Sequence, residues 1–292
     1  MGMELSSIAV VVNPERRELL ASLLDALGDR AHVRVIEPDV AEDLAAALRQ
    51  AATSADVVAA VGGDGTQRTA IEELKDTPAS LAVVPAGTAN LLARVLGIDD
   101  VEAAASAMVG GARRTLDSGV VDGDTFILNA SSGYDASVMR RVDDSAKRWG
   151  RLGYFVTGLR TLLGHRPTPV EVVVDGDTFF AGRAMTVMVT NVGQRGSAEL
   201  TVAPESAPDD GMLDVVVQRC DDLHTMARTL WALWRGRDPR SEDLLVGHGR
   251  EIDVRWATPV EAQRDGDATG SVTESHHRVD EGSVTVCVPV TS

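Results

Sequence analysis

The chain has 292 residues, 44% hydrophobic and 25% charged, which is enough to bury a sizeable core and long enough for two domains. Its net charge of −16 argues against general nucleic-acid binding and against nonspecific adhesion to anionic membranes. The two cysteines, Cys220 and Cys287, make no disulfide framework; each lies in or beside an apolar strand, where a buried, inert thiol in a reducing cytoplasm is expected. The N-terminus lacks a basic region followed by an apolar signal core, and no apolar run reaches spanning length, so no transmembrane segment is expected.

In chain order, strands are predicted at Ile8–Val12, Val33–Ile36, Val57–Val61 and Leu81–Val84. Helices are predicted at Arg16–Leu27, Ala41–Ala52, Arg68–Leu74, Leu91–Leu96 and Val101–Met108. Alternation of this kind predicts a Rossmann-like α/β domain with a mostly parallel sheet over residues 1–118. After Asp117 the texture changes to strands separated by turn signals. Asp122-Gly123, Asp175-Gly176 and Asp265-Gly266 each sit between β-branched or aromatic runs, as hairpin turns do. Residues 119–292 therefore read as an all-β sandwich, interrupted by helices near 150–163 and 223–235. The polar stretch Asp265 to Glu281 is expected to be partly mobile.

Two loops of the first domain carry the chemical signal. Gly62-Gly63-Asp64-Gly65-Thr66 follows the apolar run Val57–Val61, and its glycines let the backbone approach a ligand closely. Successive free N–H groups there would make an anion-binding concavity, and one acidic side chain inside it makes sense if a divalent cation shares the site. The competing reading is a plain strand-to-helix turn. Pro85-Ala86-Gly87-Thr88-Ala89-Asn90 repeats the design after Leu81–Val84, with Thr88 or Asn90 as a cap for the helix behind it. Two such units at one end of a sheet describe a nucleotide crevice. No G-x-x-x-x-G-K-[ST] and no G-x-G-x-x-G occurs, so neither a P-loop nor a dinucleotide fingerprint is present.

These two loops, with Leu92-Ala93-Arg94, resemble the diacylglycerol kinase catalytic-domain family in its bacterial soluble lipid kinase branch. The resemblance continues in order through Val12-Asn13-Pro14, Asp117-Ser118-Gly119, Leu128 to Ala136, Ala203-Pro204, Asp209 to Asp214, and Pro259 with Asp265-Gly266-Asp267. It implies a phosphofructokinase/NAD-kinase-like first domain, ATP and Mg²⁺ as nucleotide and metal, and a lipid alcohol as acceptor. Nucleotide binding would fall to Asn13, Gly62, Gly63, Asp64, Gly65, Thr66, Gly87, Thr88 and Asn90, with Asp64 also catalytic through the metal. The family holds a structural Mg²⁺ with an aspartate flanked by carbonyls, a pattern that Asp210 with Ala207 and Met212 fits, and Asp117 is a further metal anchor. The competing reading of Asp209 to Gly211 is a turn before a strand.

The tripeptide Asp-Gly-Asp occurs at 122–124, 175–177 and 265–267, so by itself it marks a hairpin turn. The resemblance alone raises the third. There the family has Asp-Gly-Glu, and the glutamate is its general base; this chain has Asp267, one methylene shorter, with Asp265 as the supporting or substitute carboxylate. Other departures are Glu15-Arg16-Arg17 after Asn13-Pro14, Gln67-Arg68 after Thr66, and Leu91 after Asn90. An NAD kinase, a kinase for another lipid alcohol, and a binding protein that has lost catalysis are the rival readings.

Two features bear on substrate access. Arg140, Arg141, Lys147, Arg148, Arg151, Arg160 and Arg166 form a basic island in an acidic chain, suited either to anionic headgroups or to a solvated helix face. Leu223, Met226, Leu230 and Trp234 make a helical stripe, for which packing on the sandwich is the stronger reading. The expected protein is cytoplasmic, meets its lipid at the membrane surface by transient peripheral contact, and leaves room for a homodimer.

Overall fold

The structure, a computed structural model, describes residues 7–87, 90–141, 151–162, 164–192, 207–219, 228, 231 and 243–290. Its contacts divide into two units: Met1–Ser118 with Glu281–Ser292, and Gly119–Asp280. The change of unit after Ser118 falls where the sequence changes texture. The final residues differ from expectation, because the end of the last strand pairs with the first unit's sheet.

In the first unit, β1 (Ser7–Val12), β2 (His32–Ile36), β3 (Val57–Gly62) and β4 (Ser80–Pro85) lie in the order β2-β1-β3-β4, all parallel. β3 is buried at every position and β1 and β4 at all but one. Such burial explains why they read as unbroken apolar runs rather than alternating ones: helices cover both faces of a parallel sheet. Each buried valine of β3 contributes about 1.5–3 kcal/mol. β2 is the edge strand and is largely exposed.

The helices of this unit are α1 (Leu20–Leu27), α2 (Leu44–Ala52), α3 (Asp64–Leu74), α4 (Leu91–Val95) and α5 (Val101–Gly110). Three begin elsewhere than the sequence predicts, α2 because a 3₁₀ turn over Ala41–Asp43 precedes it. Residues Pro14–Leu19 form a 3₁₀ turn with non-helical Arg16, because the Asn13 side chain accepts the Glu15 N–H and Pro14 fixes the turn's entry; α1 then starts at Leu20. α3 starts at Asp64 instead of Arg68, so most of the first glycine loop is the opening turn of a helix.

The second unit is antiparallel. β7 (Asn129–Gly133), β8 (Thr168–Val174), β9 (Asp177–Thr190), β10 (Leu213–Arg219), β11 (Leu244–Gly249) and β12 (Glu251–Arg264) belong to it. β5 (Ala112–Val121) enters it from the first unit and pairs with the short β6 (Asp124–Phe126); β13 (Asp267–Val288) leaves it for the first unit.

β9 and β12 each pair with β8 along one half and with β7 along the other, so two long strands change partners and fold the sheet over its own core. On β12 the change follows an irregularity between Arg255 and Val260, where Pro259 withholds a ladder donor. Val172, Val187, Val215, Val217, Ile252, Val254 and Trp256 fill the enclosed space. The polar stretch after Asp265 is not irregular but forms a strand. It is the first half of β13, held by ladder bonds to β12 rather than by hydrophobic burial.

Two helices, α6 (Tyr134–Arg141) and α7 (Arg151–Leu162), complete the unit. The helix expected near 223–235 lies outside the described residues except for Arg228 and Trp231, as does Cys220. Cys287 is buried, and burial pushes its thiol up to about 11.

Candidate functional site

In the first unit the strand order reverses direction between β1 and β3, and ligands of open α/β sheets bind outside the carboxyl ends of the strands at such a switch point. Asn13 leaves β1 there and Gly62-Gly63 leaves β3. The Asn13 amide Nδ2 donates to Thr66 Oγ1 at 2.9 Å, tying the end of β1 to the first turn of α3. Gly62 is required by Thr66: a Cβ on it would lie 2.2 Å from the Thr66 hydroxyl. The buried Gln67 carries the second tie, its Nε2 donating to Ala60 O at 2.9 Å. Gln67, a departure from the family pattern, thus braces the loop from below.

The two glycine loops touch. A Cβ on Gly87 would lie 2.7 Å from the Gly63 Cα, and one on Gly63 would lie 3.2 Å from the Gly87 Cα. Asn90 closes the second loop in a way the sequence does not predict. It adopts the left-handed conformation and makes no side-chain cap on α4. Its amide instead brackets Gly87, accepting the Gly87 N–H at 2.7 Å and donating to the Gly87 carbonyl at 2.8 Å. Thr88, the other expected cap, lies outside the described residues.

Asp64 does the capping. Its carboxylate accepts the Leu92 N–H at 3.3 Å, with help from the Leu91 and Asn90 amides, so one loop's acid satisfies orphan donors of the other loop's helix. Burial raises the Asp64 pKa, and those amides offset part of the rise. A partly buried carboxylate held only by backbone amides among the described residues suits a site that takes a divalent metal with its phosphates. Gly65 opens onto free space, since a Cβ there would meet nothing within 4 Å. Asp117, by contrast, is committed: it is 7% exposed and its Oδ1 accepts the Gly282 N–H at 2.7 Å, fastening the returning β13.

In the second unit the three Asp-Gly turns share one geometry. Asp122, Asp175 and Asp265 have φ of 53°, 50° and 48°, followed by glycines at 100°, 88° and 90°, as type I′ hairpins require. Each aspartate also latches a neighbouring segment. Asp122 accepts the His276 N–H, and Asp175 accepts those of Arg250 and Glu251. Asp265 accepts three, from Ile127 at 3.1 Å, Leu128 at 2.8 Å and Asn129 at 3.1 Å. Both oxygens of Asp265 therefore accept backbone N–H groups, which holds residues 127–129 against the turn. Asp267 is the exposed first residue of β13, opposite Arg264.

Behind this turn lies a polar cluster. Asn129, Ser131, Ser132 and Gln263 are all at most 5% exposed. Gln263 Nε2 donates to Asn129 Oδ1 at 2.6 Å and to Ser131 Oγ at 2.8 Å, while its Oε1 accepts the Gly266 N–H at 2.7 Å. Ser131 in turn donates to Asp135 at 2.6 Å, and burial raises the Asp135 pKa. Trp256 Nε1 donates to Ser132. A cavity of about 180 Å³ lies between Ser131, Ser132, Gln263, Arg264, Ser275 and His277.

Asp210 is exposed, and its Oδ1 accepts the Met212 N–H at 3.0 Å, forming a turn before β10. The donors expected around it, its second oxygen and the carbonyls of Ala207 and Met212, would all be oxygens, the kind a hard cation takes. Among the described residues no three His, Cys, Asp or Glu side chains converge on a point. Of the basic island, Arg140, Arg141, Arg160 and Arg166 are exposed, Arg140 being paired with Glu261; Lys147 and Arg148 lie outside the described residues. Among the described residues no helix is long and apolar enough to cross a membrane.

Residues 7–121 match the diacylglycerol kinase catalytic domain, and residues 129–288 match the YegS C-terminal NAD kinase beta sandwich-like domain. The diacylglycerol kinase of Bacillus subtilis is 31% identical over 230 residues, covering 77% of this chain and 75% of that protein. That of Mycobacterium tuberculosis is 27% identical over 252 residues, covering 84% and 78%. A crystal structure of a putative diacylglycerol kinase from Bacillus anthracis superposes with a TM-score of 0.80 over 99% of this chain and 97% of that one, at 19% identity, a likeness of fold.

Proposed function

Because the chain belongs to the diacylglycerol kinase catalytic-domain family and is a lipid kinase, we propose that it transfers the γ-phosphoryl group of ATP to the hydroxyl of diacylglycerol, giving phosphatidate. The observation that supports the nucleotide half most is the contact of Gly63 with Gly87, which leaves two backbone loops free of side chains where they meet at the switch point. Amides of these loops and of the first turn of α3 hold the phosphates. Asp64 would hold Mg²⁺ beside them, and Mg²⁺ supplies neutralisation of the charge spread over the transferring group. Asp210, with the Ala207 and Met212 carbonyls, would hold a second, structural Mg²⁺.

The acceptor oxygen bonds to the γ-phosphorus as the bond from that phosphorus to the ADP oxygen breaks, and the hydroxyl proton passes to Asp267. Asp267 is exposed and needs to come within about 2.6–3.2 Å of that proton. Positioning and electrostatics carry such a transfer, so no covalent protein intermediate is needed. Contact with the membrane falls to α7, where Val156 (37%) and Leu159 (48%) are exposed beside Arg160. Exposed apolar side chains with a neighbouring cation suit an anionic lipid surface, at about 1 kcal/mol per cation.

The test is transfer of labelled γ-phosphate from ATP to chloroform-extractable product in mixed micelles of diacylglycerol, monoacylglycerol and a sphingoid base. Wild type should label phosphatidate, and Asp267→Ala should lose roughly 10²–10⁴ of that rate. Label on the sphingoid base alone would overturn the acceptor. Label on phosphatidate that survives Asp267→Ala would overturn the base.

A further inference from the structure

Asp267 has no reach of its own to spare, so what holds the turn before it decides where its carboxylate lies. Two anchors hold that turn. One is the Asp265 carboxylate on the amides of residues 127–129. The other is Gln263, 4% exposed, whose Oε1 holds the Gly266 N–H at 2.7 Å. The residue after Gly266 is Asp267.

The other end of the Gln263 amide is bound just as tightly. Nε2 has two hydrogens, and the acceptors at 2.6 and 2.8 Å, Asn129 Oδ1 and Ser131 Oγ, use both; Asp135 Oδ2 at 3.4 Å is a distant third. With its oxygen taken by an N–H and its nitrogen facing oxygens, the amide has only one orientation that leaves every partner satisfied. Ser131, accepting from Gln263, sends its own hydrogen to Asp135 at 2.6 Å. The chain of donors therefore runs one way, from Gln263 through Ser131 to a carboxylate, and its reverse end grips the turn.

We propose that Gln263 is a positioning residue for the phosphoryl-transfer step: its amide, oriented by Asn129 and Ser131, fixes the Gly266 amide and with it the Asp267 carboxylate that takes the acceptor proton. This rests on the lipid kinase reading with Asp267 as base, and it adds a residue that touches neither substrate.

Gln263→Glu tests it. Protonated, the new side chain keeps a carbonyl for the Gly266 N–H and one O–H for Asn129 or Ser131. Ionised, it has no hydrogen to give, faces the Asn129 and Ser131 oxygens, and stands near the Asp135 carboxylate. The ratio of variant to wild-type kcat for diacylglycerol, normalised to sites that bind ATP, should fall at least tenfold as pH rises, reversibly, while the KM for ATP stays within twofold. A merely structural role would lower the fraction of folded sites and leave that ratio flat with pH.

Should Gln263→Glu fail to fold, Ser131→Ala should lower kcat three- to tenfold and Ser131→Thr should restore it, the adjoining cavity having room for the methyl group. A flat ratio in Gln263→Glu, or equal rates in Ser131→Ala and wild type, overturns the proposal. Asp267→Ala, assayed alongside, separates the two failures: if it keeps full activity, the base assignment has failed rather than the part given to Gln263.

Discussion

Removing the Asp265 carboxylate should unfold the second unit before it slows any chemistry. Asp265 accepts N–H bonds from three consecutive residues, 127, 128 and 129, at 3.1, 2.8 and 3.1 Å. Hydrogen bonds to a charged acceptor contribute about 1.5–3 kcal/mol each, although three on one carboxylate are not additive. Asp265 also sits at φ 48°, where alanine is disfavoured by about 1 kcal/mol. Together these put Asp265→Ala at roughly 3–5 kcal/mol. For a unit of this size 1 kcal/mol shifts Tm by about 2–4 °C, so a fall of roughly 10 °C is expected. Differential scanning calorimetry with and without an ATP analogue would measure it, alongside kcat at a temperature where the variant is folded. A Tm within about 2 °C of wild type, with kcat lost, would refute the reasoning and return Asp265 to the chemistry.

Three further outcomes follow from the same geometry. Gly87→Ala places a Cβ 2.7 Å from the Gly63 Cα and 2.9 Å from Asn90 Oδ1, so the loops must part at a cost of about 1–3 kcal/mol; calorimetric titration should show ATP binding at least tenfold weaker, and an unchanged Kd would remove the loop contact from the nucleotide site. His277, 4% exposed, has its pKa lowered by burial from 6.5 to about 4. The folded chain keeps it neutral, so its contribution is intact above about pH 6.5 and declines to a loss of roughly 3 kcal/mol below pH 4; urea unfolding should show this slope, and His277→Gln should flatten it. Leu159→Glu should weaken cosedimentation with anionic vesicles while leaving ATP binding alone, and unchanged sedimentation would move membrane contact off α7.

Local chemistry made much of the fold legible. Val57 to Val61 reads as a doubly covered parallel strand because it is one, and the Asp-Gly dipeptides announce I′ turns because glycine and aspartate tolerate the required φ. Partnerships across long separations were not legible. The donors to Asp265 lie 136 to 138 residues away, and the Asp117 partner lies 165 residues away. The polar start of β13 lacks the alternation that marks a half-buried strand, since its stability comes from pairing with β12. Asn90 was expected to cap, the usual task of its residue type, but the left-handed backbone turns its amide toward Gly87, leaving Asp64 to satisfy the helix.

The three Asp-Gly-Asp turns carry the sharper lesson, because one tripeptide serves three ends. The first aspartate of each does the same work, latching backbone across the turn. The residues around the turn therefore set the third apart. Turn 122–124 extends its last aspartate to Arg264, as an ion pair at 3.0 Å. Among the described residues, turn 265–267 is the one backed by a buried amide, Gln263, that reaches its central N–H and is itself held by Asn129 and Ser131. A hairpin that needed only to turn would gain nothing from burying a glutamine there, since an apolar side chain costs less to desolvate. That placement is what fixing the next residue, Asp267, requires, and it ties the shortened carboxylate to a buried polar cluster of its unit.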